Sequence, residues 1–276
     1  MNSAQADAYL RRIGAERPAG PTADVLRELH VRHLRTVPFE NLSIHLGEEI
    51  VLEEERLLDK VVGARRGGFC YELNGAFAAL LTKLGFEVTL LAGRVFQEDG
   101  RPGIPYDHLA LRVRTAGGGD WLADVGFGAH SHFPLALAEA GEQGDPGGTF
   151  QVVEAGVRTG GEETSGEGAG ECGDLDVLRD GKPQYRLEVR PRELGDFVTG
   201  AWWHSTSPVS HFGRSLVCSR LTEDGGRITL SGRRLTVTAP DGGKEVTELG
   251  TDEEVLTAYR ERFGFRLGRV PEVRGS

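Results

Sequence analysis

Apolar residues recur every third or fourth position in the first third of the chain and every second position in the middle. Tyr9, Leu10 and Ile13 fall on one helical face, and a second helix carries Leu26, Leu29, His30, His33 and Leu34. Thr22-Ala23-Asp24-Val25 supplies its cap, and Pro38, which has no N–H to donate, stops it. Leu52 to Val62 repeats the amphipathic pattern with a charged face, and Glu72 to Leu84 is Ala/Leu-rich, closing on Lys83 and Gly85. From residue 86 the period changes. Phe86 to Leu91, His108 to Val113, Trp121 to Val125, Phe150 to Val153 and Tyr185 to Val189 read as strands divided by turn residues, which predicts a mostly antiparallel sheet or small barrel. Beyond it, Asp196 to His204 predicts a short helix. Arg227 to Leu230 and Leu235 to Thr238 predict a hairpin. Asp252-Glu253-Glu254 opens a last helix running to Phe263, with its acids at the positive end of the dipole. Helices, then strands, then a mixture is an α+β order, not the strand–helix alternation of a doubly wound sheet.

Composition narrows the class. The 276 residues suffice for one or two domains with a real core. Acidic side chains outnumber basic ones 42 to 32, for a net charge of −10, so there is no basic footprint for nucleic acid. No apolar run approaches the ~20 residues that span a bilayer, and the opening MNSAQADAYLRRIG shows no secretory h-region, so a cytoplasmic protein is expected. Glycine is unusually frequent at 40 residues, about twice the usual ~7%. Eleven of them crowd residues 139–174, and within that region 155–174 is a Gly/Glu-rich stretch expected to be a solvated, flexible loop.

Three widely spaced cysteines form neither a disulfide framework nor a zinc knuckle. A lone thiol is usually a small buried hydrophobe. Cys218 in Ser215-Leu216-Val217-Cys218 fits that description, and Cys172 sits among acids that disfavour a thiolate. Cys70 differs. Arg65-Arg66-Gly67-Gly68-Phe69-Cys70-Tyr71-Glu72-Leu73-Asn74 puts the thiol at a helix N-terminus after two glycines that allow close approach. Unpaired N–H groups there, and two arginines, would favour the thiolate and could steady an oxyanion. A thiolate catalyst needs a base and a group to orient it. His108, at a strand start, and Asp124, at a strand end, are candidates among apolar neighbours. His130-x-His132 could bind metal on one strand face together with His108 and Asp124, but no HExxH or paired CxxC accompanies it. His30 and His33 read as surface or core-edge residues. Gly126-Phe127-Gly128 is half a dinucleotide motif, lacking its third glycine.

RGGFCYELN around Cys70, VPFENLSIHLG at Val37 to Gly47, DHLALRV at His108 and DVGFG at Asp124 together resemble the arylamine N-acetyltransferases, in the order Cys, His, Asp with gaps of 38 and 16 residues. Ser205 to Phe212 and Arg227 to Gly232 resemble the family's third domain, and the likeness covers roughly residues 5 to 265. The resemblance implies three parts around a cysteine-protease-like core. Residues 1–85 would form a helical bundle with the nucleophile, 86–195 a β-barrel with His and Asp, and 196–276 an α/β lid. It implies acetyl-CoA as acyl-donor substrate, no permanent cofactor or metal, and an arylamine, hydrazine or N-hydroxyarylamine acceptor, in a monomer or dimer. Cys70 would be nucleophile, His108 base and Asp124 orienting carboxylate. Glu40 and Arg66 would form a structural ion pair. Phe39, Phe127, Gly128 and Phe212 would border the acceptor, and Ile104, Asp107 and Ser210 the CoA. The acidic stretch 155–174 departs from the family, where that connection is usually shorter. Three other functions share these features: a macrolactam-forming amide synthase of an ansamycin pathway, a papain- or transglutaminase-like hydrolase, and a silent binding module. Turnover of a simple aniline with acetyl-CoA separates the first from an acetyltransferase. Whether water or amine receives the acyl group separates the second, and thiol reactivity the third.

Overall fold

In the computed structural model, which describes residues 1–139, 141–156 and 173–273, five helices occupy the first 85 positions. They are α1 (Ser3–Arg12), α2 (Ala23–Thr36), α3 (Leu42–Leu46), α4 (Glu54–Leu58) and α5 (Cys70–Lys83). Cys172 and most of the stretch 155–174 lie outside the described residues. The Thr22 side chain caps α2 by accepting the Val25 N–H at 3.3 Å, and the helix ends at Val37, before Pro38. Among these helices the structure adds one short strand that the sequence does not announce, β1 (Phe39–Glu40). This two-residue strand pairs with Cys218–Ser219 some 180 residues on. No local pattern marks it, because its partner arrives only when the end of the chain folds back.

The middle of the chain is an eight-stranded antiparallel sheet. Its strands are β2 (Glu87–Val95), β3 (His108–Arg114), β4 (Asp120–Ala123), β5 (Leu135–Ala136), β6 (Gln143–Asp145), β7 (Gly148–Glu154), β8 (Leu175–Arg179) and β9 (Lys182–Arg192), in the order 5-4-3-2-9-8-7-6. The sheet curls until β5 approaches β7, a nearly closed barrel. The final part adds α6 (Val198–Thr206), β10 (Cys218–Leu221), β11 (Arg227–Ser231), β12 (Arg234–Thr238), β13 (Lys244–Glu248) and α7 (Asp252–Ala258). Strands β10 to β13 form a second antiparallel sheet whose far edge is β1. The expected hairpin is present in the register Leu230↔Leu235 and Ser231↔Arg234.

Three buried clusters follow from these patterns. Leu109, Leu111 and Val113 of β3 join the helical core with Leu73, Phe77 and Leu81 of α5. The alternate residue Ala110 faces the barrel interior with Leu91, Phe150 and Tyr185. Strand β3 is thus covered on both faces, which is why His108 to Val113 is almost continuously apolar. The second sheet packs through Cys218 and Leu230 against Val255 of α7 and Tyr259 of the helical turn that follows it. No helix among the described residues is long and apolar enough to cross a membrane.

Candidate active site

Helix α5 begins at Cys70, two residues before the sequence pattern places it. Phe69 offers no capping side chain. Instead the Glu72 carboxylate reaches back to accept the Phe69 N–H at 3.3 Å, and Lys60 holds that carboxylate at 2.6 Å. Cys70 therefore occupies the first helical turn, where backbone N–H groups lack intrahelical partners. Gly67 lies so close to Pro38 that a Cβ would sit 1.8 Å from its carbonyl oxygen. At Gly126 a Cβ would sit 2.7 Å from the Cys70 Cα, so only glycine lets the loop after β4 lie on this turn.

That loop brings Asp124 to His108. The His108 Nε2–H donates to Asp124 Oδ2 at 2.7 Å, which leaves Nδ1 for the Cys70 sulfur, a hydrogen-bonding neighbour of the same ring. All three side chains are buried. Burial alone would lower the His108 pKa, but the charge and hydrogen bond of Asp124, reinforced by Cys70, push it up to about 10. The same pairing holds Asp124 well below the usual carboxylate range, against a burial effect that opposes it. Asn74, one turn along α5, donates to Asp124 Oδ1 at 2.9 Å and to the Leu109 carbonyl at 2.6 Å, and its own oxygen accepts the Val125 N–H at 3.0 Å. Buried Tyr185 lays its ring 5.0 Å from that of His108. Asn74 and Tyr185 escaped the sequence reading, since an Asn inside a helix and a Tyr on a strand carry no signal of a distant carboxylate.

The arginines do not serve the thiol as expected. Arg66 donates to buried Glu40 at 2.8 Å and to half-exposed Glu48 at 3.2 Å, so its charge is neutralised, and Ser43 Oγ, which accepts from both Arg66 and Lys60, links this cluster to the Lys60–Glu72 pair. Arg66 and burial act oppositely on Glu40, and the cation prevails, lowering its pKa. The Arg65 guanidinium donates to the Gly264 carbonyl.

A cavity of about 970 Å³ opens beside the cysteine. Phe39, Phe127 and Phe212 line it, as do Ile104, Asp107 and Ser210. Phe39 and Phe212 lie 6.1 Å apart between ring centres, and Phe127 meets the His108 ring edge-on at 5.2 Å. Gly128 does not join them. It stands outside the lining, against the Phe39 ring, with its carbonyl accepting from Arg227. Asp107 and Ser210 are tied together by His204, a cavity residue missing from the sequence-based set. His204 Nε2 lies 3.0 Å from Asp107 Oδ1 and its Nδ1 3.2 Å from Ser210 Oγ.

The remaining histidines depart from expectation. His130 and His132 lie on the loop after β4 rather than on a strand face, and no metal-binding cluster occurs among the described residues. His130 packs among Phe127, Phe150 and Tyr185, and burial lowers its pKa to about 4. His30 and His33 are fully buried rather than superficial, because α2 turns that face into the core beside Phe77. Cys218 is fully buried as expected, which pushes its pKa well up.

The N-acetyltransferase family model matches residues 22–272. The arylamine N-acetyltransferase of Escherichia coli K12 is 32% identical over 257 residues, covering 93% of this chain and 87% of that one. The chain belongs to the arylamine N-acetyltransferase family. Its fold agrees with solved members. That of Salmonella typhimurium superposes with a TM-score of 0.83 at 30% identity, covering 100% of this chain and 95% of the other. The Mycobacterium marinum enzyme, solved in complex with CoA, gives 0.78 at 31% identity, covering 94% and 92%. As a member of this family the chain is an acyltransferase.

Proposed function

We propose that the protein transfers acetyl from acetyl-CoA to arylamines, arylhydrazines or N-hydroxyarylamines in two half-reactions through an acetyl-cysteine. The observation that carries this reading is the contact sequence at the cavity floor, with the Cys70 sulfur on His108 and His108 on Asp124 at 2.7 Å. In the first half-reaction the Cys70 thiolate attacks the thioester carbonyl, and the first-turn N–H groups of α5 face the developing oxyanion. The C–S bond to CoA breaks, and His108, carrying the proton, gives it to the departing thiolate. In the second half-reaction the amine attacks the acetyl-cysteine, and His108 accepts the amine proton as the Cys70 thiolate leaves. Asp124 keeps Nε2 protonated and the ring aimed throughout.

A single cavity serves both substrates in turn, which suits one open cleft beside one nucleophile. Phe39, Phe127 and Phe212 present half-buried rings to it, an apolar slot for a flat aromatic acceptor. The CoA complex of the Mycobacterium marinum relative supports CoA as the carrier here, with Ile104, Asp107 and Ser210 on its path. The division of labour is then by region: helices 1–85 bring the nucleophile, the barrel brings His108 and Asp124, and the part from residue 196 onward brings Ser210 and Phe212 to the cavity wall. Initial rates of CoA release, measured over acetyl-CoA at several fixed concentrations of an aniline, test the reading. Parallel double-reciprocal lines are expected. Intersecting lines would mean that both substrates bind before any transfer, and the acetyl-cysteine would fall.

A further inference from the structure

Asp124 lies just past the end of β4, on a loop with no ladder to hold its backbone. Two ends of that loop meet one side chain from the helical layer. The backbone N–H of Asp124 donates to His30 Nε2 at 3.2 Å, and His30 Nδ1 lies 3.0 Å from the carbonyl oxygen of His132. A single imidazole of α2 thereby staples residue 124 to residue 132. An N–H at one nitrogen and a carbonyl at the other permit one neutral tautomer, with hydrogen on Nδ1. A proton on Nε2 would set two N–H groups face to face. Burial disfavours the cation as well, though the nearby carboxylates of Asp124 and Asp145 oppose that. His33 and His130, both buried, are its titratable neighbours, and the Phe77 ring of α5 meets it edge-on at 6.2 Å. Nothing from α2 lines the cavity.

We propose that His30 is a positioning residue for acyl transfer: it fixes the Asp124 backbone, and through Asp124 the His108 ring, in register with the Cys70 sulfur. The inference rests on the roles given above to Cys70, His108 and Asp124. Asn74 grips the Asp124 carboxylate from the α5 side, and His30 grips its amide from the α2 side. With the amide released, the carboxylate can retreat from His108 and its hold on the Nε2 proton weakens. A displacement of about 1 Å at such a centre is enough to cost on the order of a hundredfold in rate.

The test compares His30→Ala, His30→Gln and His33→Ala. A glutamine amide can present an oxygen to the Asp124 N–H and an NH2 to the His132 carbonyl. His33 stands one turn along α2, is equally buried, and bonds Tyr9 at 2.9 Å instead of the loop. For each variant kcat/KM and the rate of Cys70 alkylation by iodoacetamide are followed against pH, alongside Cys70→Ala. His30→Ala is expected to lose roughly tenfold or more in kcat/KM and to move the alkaline limb of both profiles to lower pH, as His108 gives up its proton sooner. His30→Gln restores both, and His33→Ala loses thermal stability while keeping the profile. If His30→Ala does not fold, His30→Asn, too short to span both partners, takes its place. A His30→Ala profile no more displaced than that of His33→Ala overturns the proposal. Acetyl transfer that survives in Cys70→Ala overturns the catalytic reading itself, and the proposal with it.

Discussion

One amide decides much of the site. Asn74 bonds the Leu109 carbonyl on β3, the Asp124 carboxylate and the Val125 N–H at once, so it registers helix, strand and loop together. Asn74→Ala leaves these buried groups short of partners, at a cost of about 1–3 kcal/mol. Both the urea midpoint and kcat/KM are expected to fall, and a variant with an unchanged midpoint would contradict that bonding. Gly126 makes a sharper case, because a methyl there meets the Cys70 Cα at 2.7 Å. Gly126→Ala must push the loop off α5 and should lose about 1–3 kcal/mol through overpacking, with a larger proportional loss of activity. Equal activity and melting temperature to the parent would show that the approach does not matter. Of the proposed catalytic residues, Cys70 stands out in the sequence by its setting after two glycines at a helix start, whereas His108 and Asp124 are candidates among several His and carboxylate pairings and take their roles from the family resemblance. The buried side chains around the site are not legible, since Asn74, His30 and His204 become informative only once the fold brings their partners near.

Among the elements, α2 and α5 show what local pattern can and cannot say. Helix α2 begins and ends where Thr22 and Pro38 require. Thr22→Ala removes one exposed cap bond and should cost about 1 kcal/mol in thermal or chemical unfolding while leaving kcat/KM unchanged. A loss of activity without a loss of stability would point to another role for Thr22. Helix α5 starts at Cys70, as the expected place of the thiol at a helix N-terminus requires and two residues before the Ala/Leu-rich pattern from Glu72, because its cap is supplied in reverse by Glu72 with help from Lys60. Those two residues are what place the thiol inside the first turn rather than before it. Strand β1 was illegible for a different reason. Phe39 and Glu40 become a strand only against β10, and that pairing sets Phe39 in the cavity wall and Glu40 beside Arg66. The hairpin of β11 and β12, a local pairing, was legible throughout.

Across the whole molecule, buried histidines govern the response to acid. His30, His33 and His130 all have pKa values lowered by burial, the last to about 4. Their unfolded forms protonate near 6.5, so between that pH and the folded values the unfolded state binds more protons. What these three histidines contribute to stability is therefore complete above about 6.5 and lost as pH falls towards 4, by about 3 kcal/mol for His130 alone. His108 has the opposite sign. Its contribution is present below about 6.5 and lost as pH rises through about 10. Asp124 adds stability that disappears only below the ordinary carboxylate range, and Glu72, raised by burial, opposes the acid loss. Urea midpoints should thus be higher at pH 7 than at the isoelectric pH of about 5.4. A midpoint that rises towards 5.4 would mean that overall charge outweighs the histidines. The proposed acetyl-cysteine is a covalent state of the chain, and intact-mass measurement reads it directly. After incubation with acetyl-CoA and no acceptor, the protein should gain one acetyl group, located on Cys70, and lose it when an aniline is added. An unmodified mass, or an acetyl group on another residue, would contradict the account.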